Sequence, residues 1–396
     1  MISVAKAISQ VIENVKKTDT VKVSVSDALG HVLAEDVTAR LTQPWADVSA
    51  MDGYAVRAAD VSTVPVDLTV IGESPAGGCY DGMVAKAQAV RIFTGAPVPK
   101  GADAIVIQED TVRDGDTVTV QETATPGRFV RPAGLDFKSG SMLLKAGRVL
   151  SARDLGLAAA GNVPELTVKR RPRIAIIATG DELVMPGEAL GPNQIISSNS
   201  VMLAAYVTSL GAKAVDLGIA RDAPASLTPL LKSAQNADML VTIGGASVGD
   251  YDLVNQVLDQ EGVDLGFYKV AMRPGKPLIF GHLHGTPVLG LPGNPVSVGV
   301  TSAIFLKPAI NAMLGLDTTT TLEPATLGSD LGENDQRQDY LRATSAVNGS
   351  GETVVTPFSK QDSAMLAKFA DADCLIVRAP HAKPAKAGDA VDIVRL

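Results

Sequence analysis

Aromatic side chains are scarce in this chain of 396 residues: Phe, Trp and Tyr together make up 4%. Aliphatic packing must therefore carry the core, and there is no series of aromatics for stacking nucleic-acid bases. Cysteine is scarcer still. Cys79 and Cys374 stand alone and far apart, which argues against a disulfide framework and against a thiolate metal site. Positive charge is not in excess either. The formal net charge is -8, so general nucleic-acid binding, which works by neutralising phosphates, is disfavoured. A local cluster of Arg and Lys can still suit a small anion. No G-x-x-x-x-G-K-[ST] sequence occurs, which disfavours a P-loop nucleotide mechanism. No unbroken apolar run approaches the roughly 20 residues of a membrane span, so no membrane association is expected. The opening MISVAKAISQVIENVKK reads as an amphipathic helix rather than a signal peptide, with Val4, Ile8, Val11 and Val15 at helical spacing. A cytoplasmic location follows as the expectation. His282 and His284 alternate along a strand, but without a nearby Cys or third His they read as hairpin residues, not metal ligands.

What is present is organised in blocks. At about 100–200 residues per domain, the length implies about two to four domains. Residues 1–170 carry dense Gly and Pro punctuation after the opening helix, as in GESPAGG, GAPVPKGAD and TPGRFVRPAG; this indicates short strands in small sheets or barrels. One helix is expected over 151–161, begun by Ser151 as N-cap and stopped at Gly161. The pattern changes after Arg170-Arg171-Pro172. RIAIIAT (173–179) is a continuous apolar run, as a buried parallel strand would be. Helices are expected near 198–210, 223–236, 251–261 and 295–314. Strands alternate with them at 213–219, 238–243 and 264–271, and a hairpin pair falls at 277–281 and 286–290. Such alternation predicts an α/β domain with a mostly parallel sheet. After the Thr-rich break at 317–321, strands at 338–346, 352–357, 373–379 and 390–395 read as a small all-β domain.

Four loops of the α/β segment leave strand ends or open a helix, where ligands of open α/β sheets bind. TGDEL (179–183) places Asp181 and Glu182 beyond the first strand. GGASVGDYD (244–252) offers close backbone approach, the Ser247 hydroxyl, and Asp250 and Asp252. MRPGKP (272–277) sets Arg273 and Lys276 around a Pro-Gly turn. GLPGNP (290–295) ends with Asn294 at an N-cap and Pro295 at the first helical position. A helix N-terminus offers free N–H groups to an anion, and carboxylates with substrate phosphates are a usual way to hold Mg²⁺. Taken singly, each loop also matches a capped helix start or a solvated turn. Taken together, they point to a phosphorylated ligand with Mg²⁺. In the first half, SAMDGYAV (49–56), FTGAPVP (93–99) and RFVRPAGLDFKSG (128–140) add Asp52, Thr94, Arg131 and Asp136.

These motifs, with RPAGLD and the terminal KQDSAMLAKFADADCLIVRAP, resemble in order and spacing the MoeA family of molybdopterin molybdenumtransferases, which includes the E domain of gephyrin. The resemblance implies a multidomain α/β plus β subunit. A discontinuous N-terminal domain would take 1–46 and 143–171, and an inserted β domain 47–142. A central MogA-like molybdopterin-binding α/β domain would take 172–318, and a C-terminal small β-barrel 319–396. It implies insertion of molybdenum from molybdate into adenylylated molybdopterin with Mg²⁺, forming molybdenum cofactor and AMP. It implies a homodimer whose shared site joins the two halves of different subunits, with transient contact to a separate molybdopterin adenylyltransferase.

By the same resemblance, Asp181, Glu182, Asp222, Asp250 and Asp252 would position Mg²⁺ and pyrophosphate. Arg273 and Lys276 would hold molybdate or phosphate oxygens, with Lys269 nearby. Thr179, Gly180, Gly244, Gly245, Ser247 and Gly249 would approach the pterin phosphate or AMP, while Pro292, Asn294 and Pro295 shape the anion-binding turn. Asp52, Thr94, Arg131 and Asp136 would come from the partner subunit, and Ser363 from the barrel. Two positions depart from the family pattern: Val48 stands where an Asn is usual, and Arg273 where many members have Lys. The α/β segment alone leaves two other enzymes open, an adenylyltransferase and a CinA-like nucleotide pyrophosphatase. The N-terminal motifs and the expected barrel speak against both. A non-enzymatic scaffold is the remaining alternative, since gephyrin's E domain also binds receptor peptides.

Overall fold

The computed structural model describes residues 1–245 and 263–396. The helix expected at 251–261, and Ser247, Gly249, Asp250 and Asp252, lie outside the described residues. Contacts divide the chain into two compact units, Lys22–Val168 and Met1–Val21 with Lys169–Leu396.

In the unit Lys22–Val168, the Gly- and Pro-punctuated stretch forms a six-stranded sheet. Its order is Ala104–Ile107, Gly53–Val56, Gln88–Ile92, Val66–Ser74, Thr117–Val120 and Thr111–Asp114. Side chains alternate between faces along a strand, and here both faces are covered. Tyr54, Val56 and Val106 enter one apolar cluster, while Ala55 and Ile105 enter another. The helix Ala152–Ala160 begins as its sequence predicts. The Ser151 N–H donates to the Asp154 carboxylate at 2.8 Å while the Ser151 hydroxyl accepts from the Asp154 N–H, and Gly161 ends the helix.

In the other unit, the opening helix is Val4–Glu13, with Val4, Ala7 and Val11 buried. It packs on the helix Lys307–Leu314. Val15 lies beyond its end. The α/β sheet has six strands in the order Lys213–Ala220, Arg173–Thr179, Met239–Ile243, Thr286–Leu291, Pro277–Leu283 and Val263–Lys269. The first four run parallel; Pro277–Leu283 alone is reversed, pairing antiparallel with both its neighbours. RIAIIAT is central, which is why it can be apolar without alternation. His284 and Gly285, at φ 50° and 84°, turn the hairpin, as a two-residue turn with positive φ at both positions requires. From Arg173–Thr179 the chain moves outward to Lys213–Ala220, then returns to the other side at Met239–Ile243. A crevice therefore opens between the carboxyl ends of these two inner strands.

The long apolar helix is continuous over 295–314 but changes pitch. Pro308 has no N–H to give the preceding turn, and the helix widens into a π turn at Ser302–Leu306 just before it. An 18-residue window of this 20-residue helix has a mean hydropathy of 1.3, enough by composition and length to cross a membrane. That window is nevertheless 78% buried, so a core position accounts for its composition. Gly299 on this helix receives the Phe369 ring from the short helix Leu366–Ala370; a Cβ there would stand 2.2 Å from the ring. Gly299→Ala is expected to cost about 1–3 kcal/mol by overpacking, read as a lower urea midpoint with an unchanged slope.

The last segment closes on itself. Gln338–Val347 pairs with Thr353–Pro357, and the order continues through Glu323–Leu327, Ala390–Arg395 and Cys374–Arg378. Cys374–Arg378 returns to pair with Gln338–Val347, completing a five-stranded barrel around Leu327, Val355, Ile376 and Ile393. The strand Glu323–Leu327 was not expected, because Pro324 within it is a poor strand signal. Met272–Arg273 adds to the barrel in parallel, with Arg273 opposite Asp339.

Candidate active site

The crevice at the sheet's carboxyl edge is built first from backbone. The Thr179 hydroxyl donates to the Ile243 carbonyl at 3.2 Å, joining the two strand ends. The Gly180 N–H goes to Ala220 and the Gly244 N–H to Leu291, so the parallel ladder runs out at these glycines. Gly244 has φ 90°, and a Cβ there would meet the Thr179 carbonyl at 2.8 Å. Only glycine fits this approach.

The TGDEL turn is held from beneath. Arg221 donates to the carbonyls of Asp181 and Leu183 at 2.8 and 3.0 Å. Asp181 accepts the Asp222 N–H at 3.0 Å. Glu182 and Asp222 line the resulting cleft of about 1020 Å³, and neither enters an ion pair among the described residues. Asp181 supports them and is not part of the lining.

Thr179, Gly180, Gly244, Gly245, Arg273, Lys276, Pro292, Asn294, Pro295 and Ser363 share the same cleft. Lys276 is in no ion pair among the described residues. Arg273, by contrast, has carboxylate partners. Its guanidinium bonds the Asp339 carboxylate, approaches Asp335 at 3.5 Å and reaches Asn334 at 3.4 Å. Burial raises the Asp339 carboxyl above its ordinary value despite that partner. Arg337, beside Asp335, holds the Asp335 carboxyl down at about 2. Lys269 lies over its neighbour Tyr268 at 5.2 Å and is not among the residues lining the cleft.

Asn294 occupies the N-cap position, yet its side chain does not cap its own helix. It donates instead to the Ser363 hydroxyl at 2.8 Å, while the Val296 N–H goes to the Ser363 carbonyl at 3.1 Å. The barrel loop thus takes over part of the helix terminus. A smaller cavity of about 320 Å³ beside Leu231, Leu240 and Thr286 lies toward the amino ends of the strands and gathers none of these loops.

In the unit Lys22–Val168, two motifs meet. Asp52 accepts both the N–H and the hydroxyl of Thr94, each at 2.7 Å. The Thr94 N–H bond, then its hydroxyl bond, hold the Asp52 carboxyl below the usual carboxylate range. Arg131 and Asp136 are exposed on the 130–137 segment, whose strand Val130–Arg131 pairs with Val48–Ser49.

Sequence reading missed Asn199, Arg337, Gln361 and Asp362, all lining the cleft. Gln361 and Asp362 lie within the quoted KQDSAML stretch. Asn199 follows a strand and opens a helix, a position that could have been flagged.

Three family profiles match in sequence order: "MoeA N-terminal region (domain I and II)" over 2–161, "Probable molybdopterin binding domain" over 175–312, and "MoeA C-terminal region (domain IV)" over 324–396. The molybdopterin molybdenumtransferase of Nostoc sp. is 43% identical over 75% of this chain and 70% of its own length. That of Haemophilus influenzae is 33% identical over 99% of this chain and 98% of its own. The crystal structure of the molybdopterin biosynthesis MoeA protein from Pyrococcus horikosii superposes with a TM-score of 0.83 at 30% identity, covering 100% of this chain and 99% of that one. The chain belongs to the MoeA family of molybdopterin molybdenumtransferases, and is an enzyme of molybdenum cofactor biosynthesis.

Proposed function

We propose that the cleft binds adenylylated molybdopterin, molybdate and Mg²⁺, inserts molybdenum into the dithiolene, and releases AMP. The observation that carries this reading is that Lys276, in no ion pair among the described residues, shares one cleft with Glu182 and Asp222. Molybdate and a pyrophosphate repel each other, so a site that brings them together needs fixed positive charge. Lys276 supplies it as a point charge, and Arg273 adds the edge of a guanidinium already oriented by Asp339. The N–H groups of Gly293 and Asn294, without a protein acceptor among the described residues, suit the oxyanion.

Atoms balance without a protein nucleophile. The two dithiolene sulfurs form bonds to molybdenum, and their two protons leave with one molybdate oxygen as water. One water opens the phosphoanhydride, giving AMP and the phosphate of the pterin product. For Mg²⁺, the donor set fits: one or two carboxylates completed by substrate phosphates is its usual environment. Glu182 and Asp222 would hold it, with Asp181 supporting, and it would supply charge neutralisation. Asp250 and Asp252, outside the described residues, belong to the same proposal.

The reading extends to assembly. Two copies complete the site, Asp52, Thr94, Arg131 and Asp136 of one joining the cleft of the other. Asp52, kept ionised by Thr94, then contributes a fixed negative charge near Mg²⁺. The four-part division of the chain, a separate molybdopterin adenylyltransferase as supplier of substrate, and a cytoplasmic setting belong to it as well. The test is AMP release from adenylylated molybdopterin, with and without molybdate. Release that needs molybdate and stops on chelating Mg²⁺ is expected. Equal release without molybdate, or net adenylylation of molybdopterin from ATP, overturns the reading.

A further inference from the structure

We infer that Asn199 is a positioning residue of this cleft, fixing the Gly293–Asn294 peptide so that its free N–H stays available to the substrate's oxyanion. The inference rests on the proposed oxyanion-binding role of the cleft. It is carried by a contact joining two elements remote in sequence. Asn199 is the second residue of the helix Ser198–Ser209, and its Nδ2 donates to the Gly293 carbonyl at 2.6 Å. That bond settles which way round the amide sits, because a carbonyl can only accept. The Asn199 Oδ1 is enclosed and has no donor among the described residues, so the amide has no alternative bond to trade for this one.

The platform beneath Asn199 is rigid. Ser197 and Ser200, both buried, hydrogen-bond hydroxyl to hydroxyl at 3.1 Å. The turn it pins is close to the other wall: a Cβ on Gly293 would lie 3.8 Å from the Gly244 Cα. In a trans peptide the C=O and the following N–H point in opposite directions. Holding the Gly293 carbonyl against Asn199 therefore also fixes the direction of the Asn294 N–H. Among the described residues, neither the Gly293 nor the Asn294 N–H has a protein acceptor, and Pro295 has no N–H to offer. Glycine at 293 would let this peptide rotate freely; the Asn199 bond is what holds it. A donor that must be in place before the oxyanion arrives is worth more than one that reorganises on binding.

The experiment compares wild type, Asn199→Ala and Asn199→Leu. Each is assayed for molybdate-dependent AMP release across molybdate concentrations, with the melting temperature as a control. Leu keeps the branched four-atom shape of the Asn side chain, is bulkier, and has no donor. We expect both variants to raise the KM for molybdate by about tenfold or more, with KM for adenylylated molybdopterin moving less. If Asn199 only fills space, Leu restores wild-type behaviour while Ala does not; that result overturns the inference. So does an unchanged molybdate KM in both. A wild type whose AMP release ignores molybdate is a different result, and brings down the functional reading on which the inference stands.

Discussion

Replacing Lys276 with Ala should lower kcat/KM for molybdate-dependent AMP release by about 100-fold or more, the scale of removing one preorganised donor at a developing charge. The expectation follows from what Lys276 does not touch. Its neighbour Arg273 is committed to Asp339 and Asp335, whereas Lys276 is in no ion pair among the described residues. The variant loses no ion-pair partner among the described residues, so its melting temperature should stay close to that of wild type. Lys276→Arg keeps the charge but changes the donor geometry, and should recover part of the loss. Initial rates at several molybdate concentrations decide the matter. A loss smaller than about threefold would mean that Arg273 or Mg²⁺ already supplies the needed charge, and the central role given to Lys276 would fall.

The second large effect concerns stability. Arg342 is 1% exposed and is the largest fully buried side chain of the molecule's described residues. Its guanidinium donates to the carbonyls of Lys360 at 3.3 Å, Asp362 at 3.0 Å and Met365 at 3.3 Å, and to the Gln361 side chain at 3.3 Å. Burial pushes its pKa below the usual arginine value. Arg342→Met keeps the apolar stem but leaves those acceptors enclosed and unpaired. The change should cost about 3–5 kcal/mol, since several hydrogen bonds from a charged donor, each worth about 1.5–3 kcal/mol, are lost together. The same loop carries Ser363, which holds the Asn294 side chain and the Val296 N–H. Activity should therefore fall before global unfolding is complete. Urea unfolding measures the first effect and AMP release the second; a stability change under about 1 kcal/mol would show that water satisfies the loop equally well.

How much of this was legible in the sequence depends on the range of the interactions. The parallel strands announced themselves because two-sided burial demands unbroken apolar runs, as in RIAIIAT. The helix Ala152–Ala160 was legible because Ser151, Asp154 and Gly161 act within one turn. The cleft loops were legible as strand ends rich in glycine and charge. Interactions that link distant segments were not. Nothing near Asn294 indicates that its amide serves Ser363. Nothing near Arg273 indicates that strand pairing sets it opposite Asp339. The strand Glu323–Leu327 was hidden by Pro324, and the helix Leu366–Ala370 by its five-residue length. Short patterns mislead in the other direction. Residues 245–249 read Gly-Ala-Ser-Val-Gly, the G-x-S-x-G spacing of a hydrolase elbow, inside the stretch that matches a molybdopterin-binding domain. The spacing alone does not decide its use.

The pairing of Met272–Arg273 with Gln338–Asp339 has a consequence for synthesis. Translation produces the cleft's cationic loop well before the strand it zips against. A nascent chain that has not yet released residue 338 from the ribosome can close its α/β sheet, but it cannot seat that loop. Premature stops within this interval should yield polypeptides that are partly folded yet catalytically silent. Catalytic competence therefore waits for the barrel strand against which Met272–Arg273 pairs.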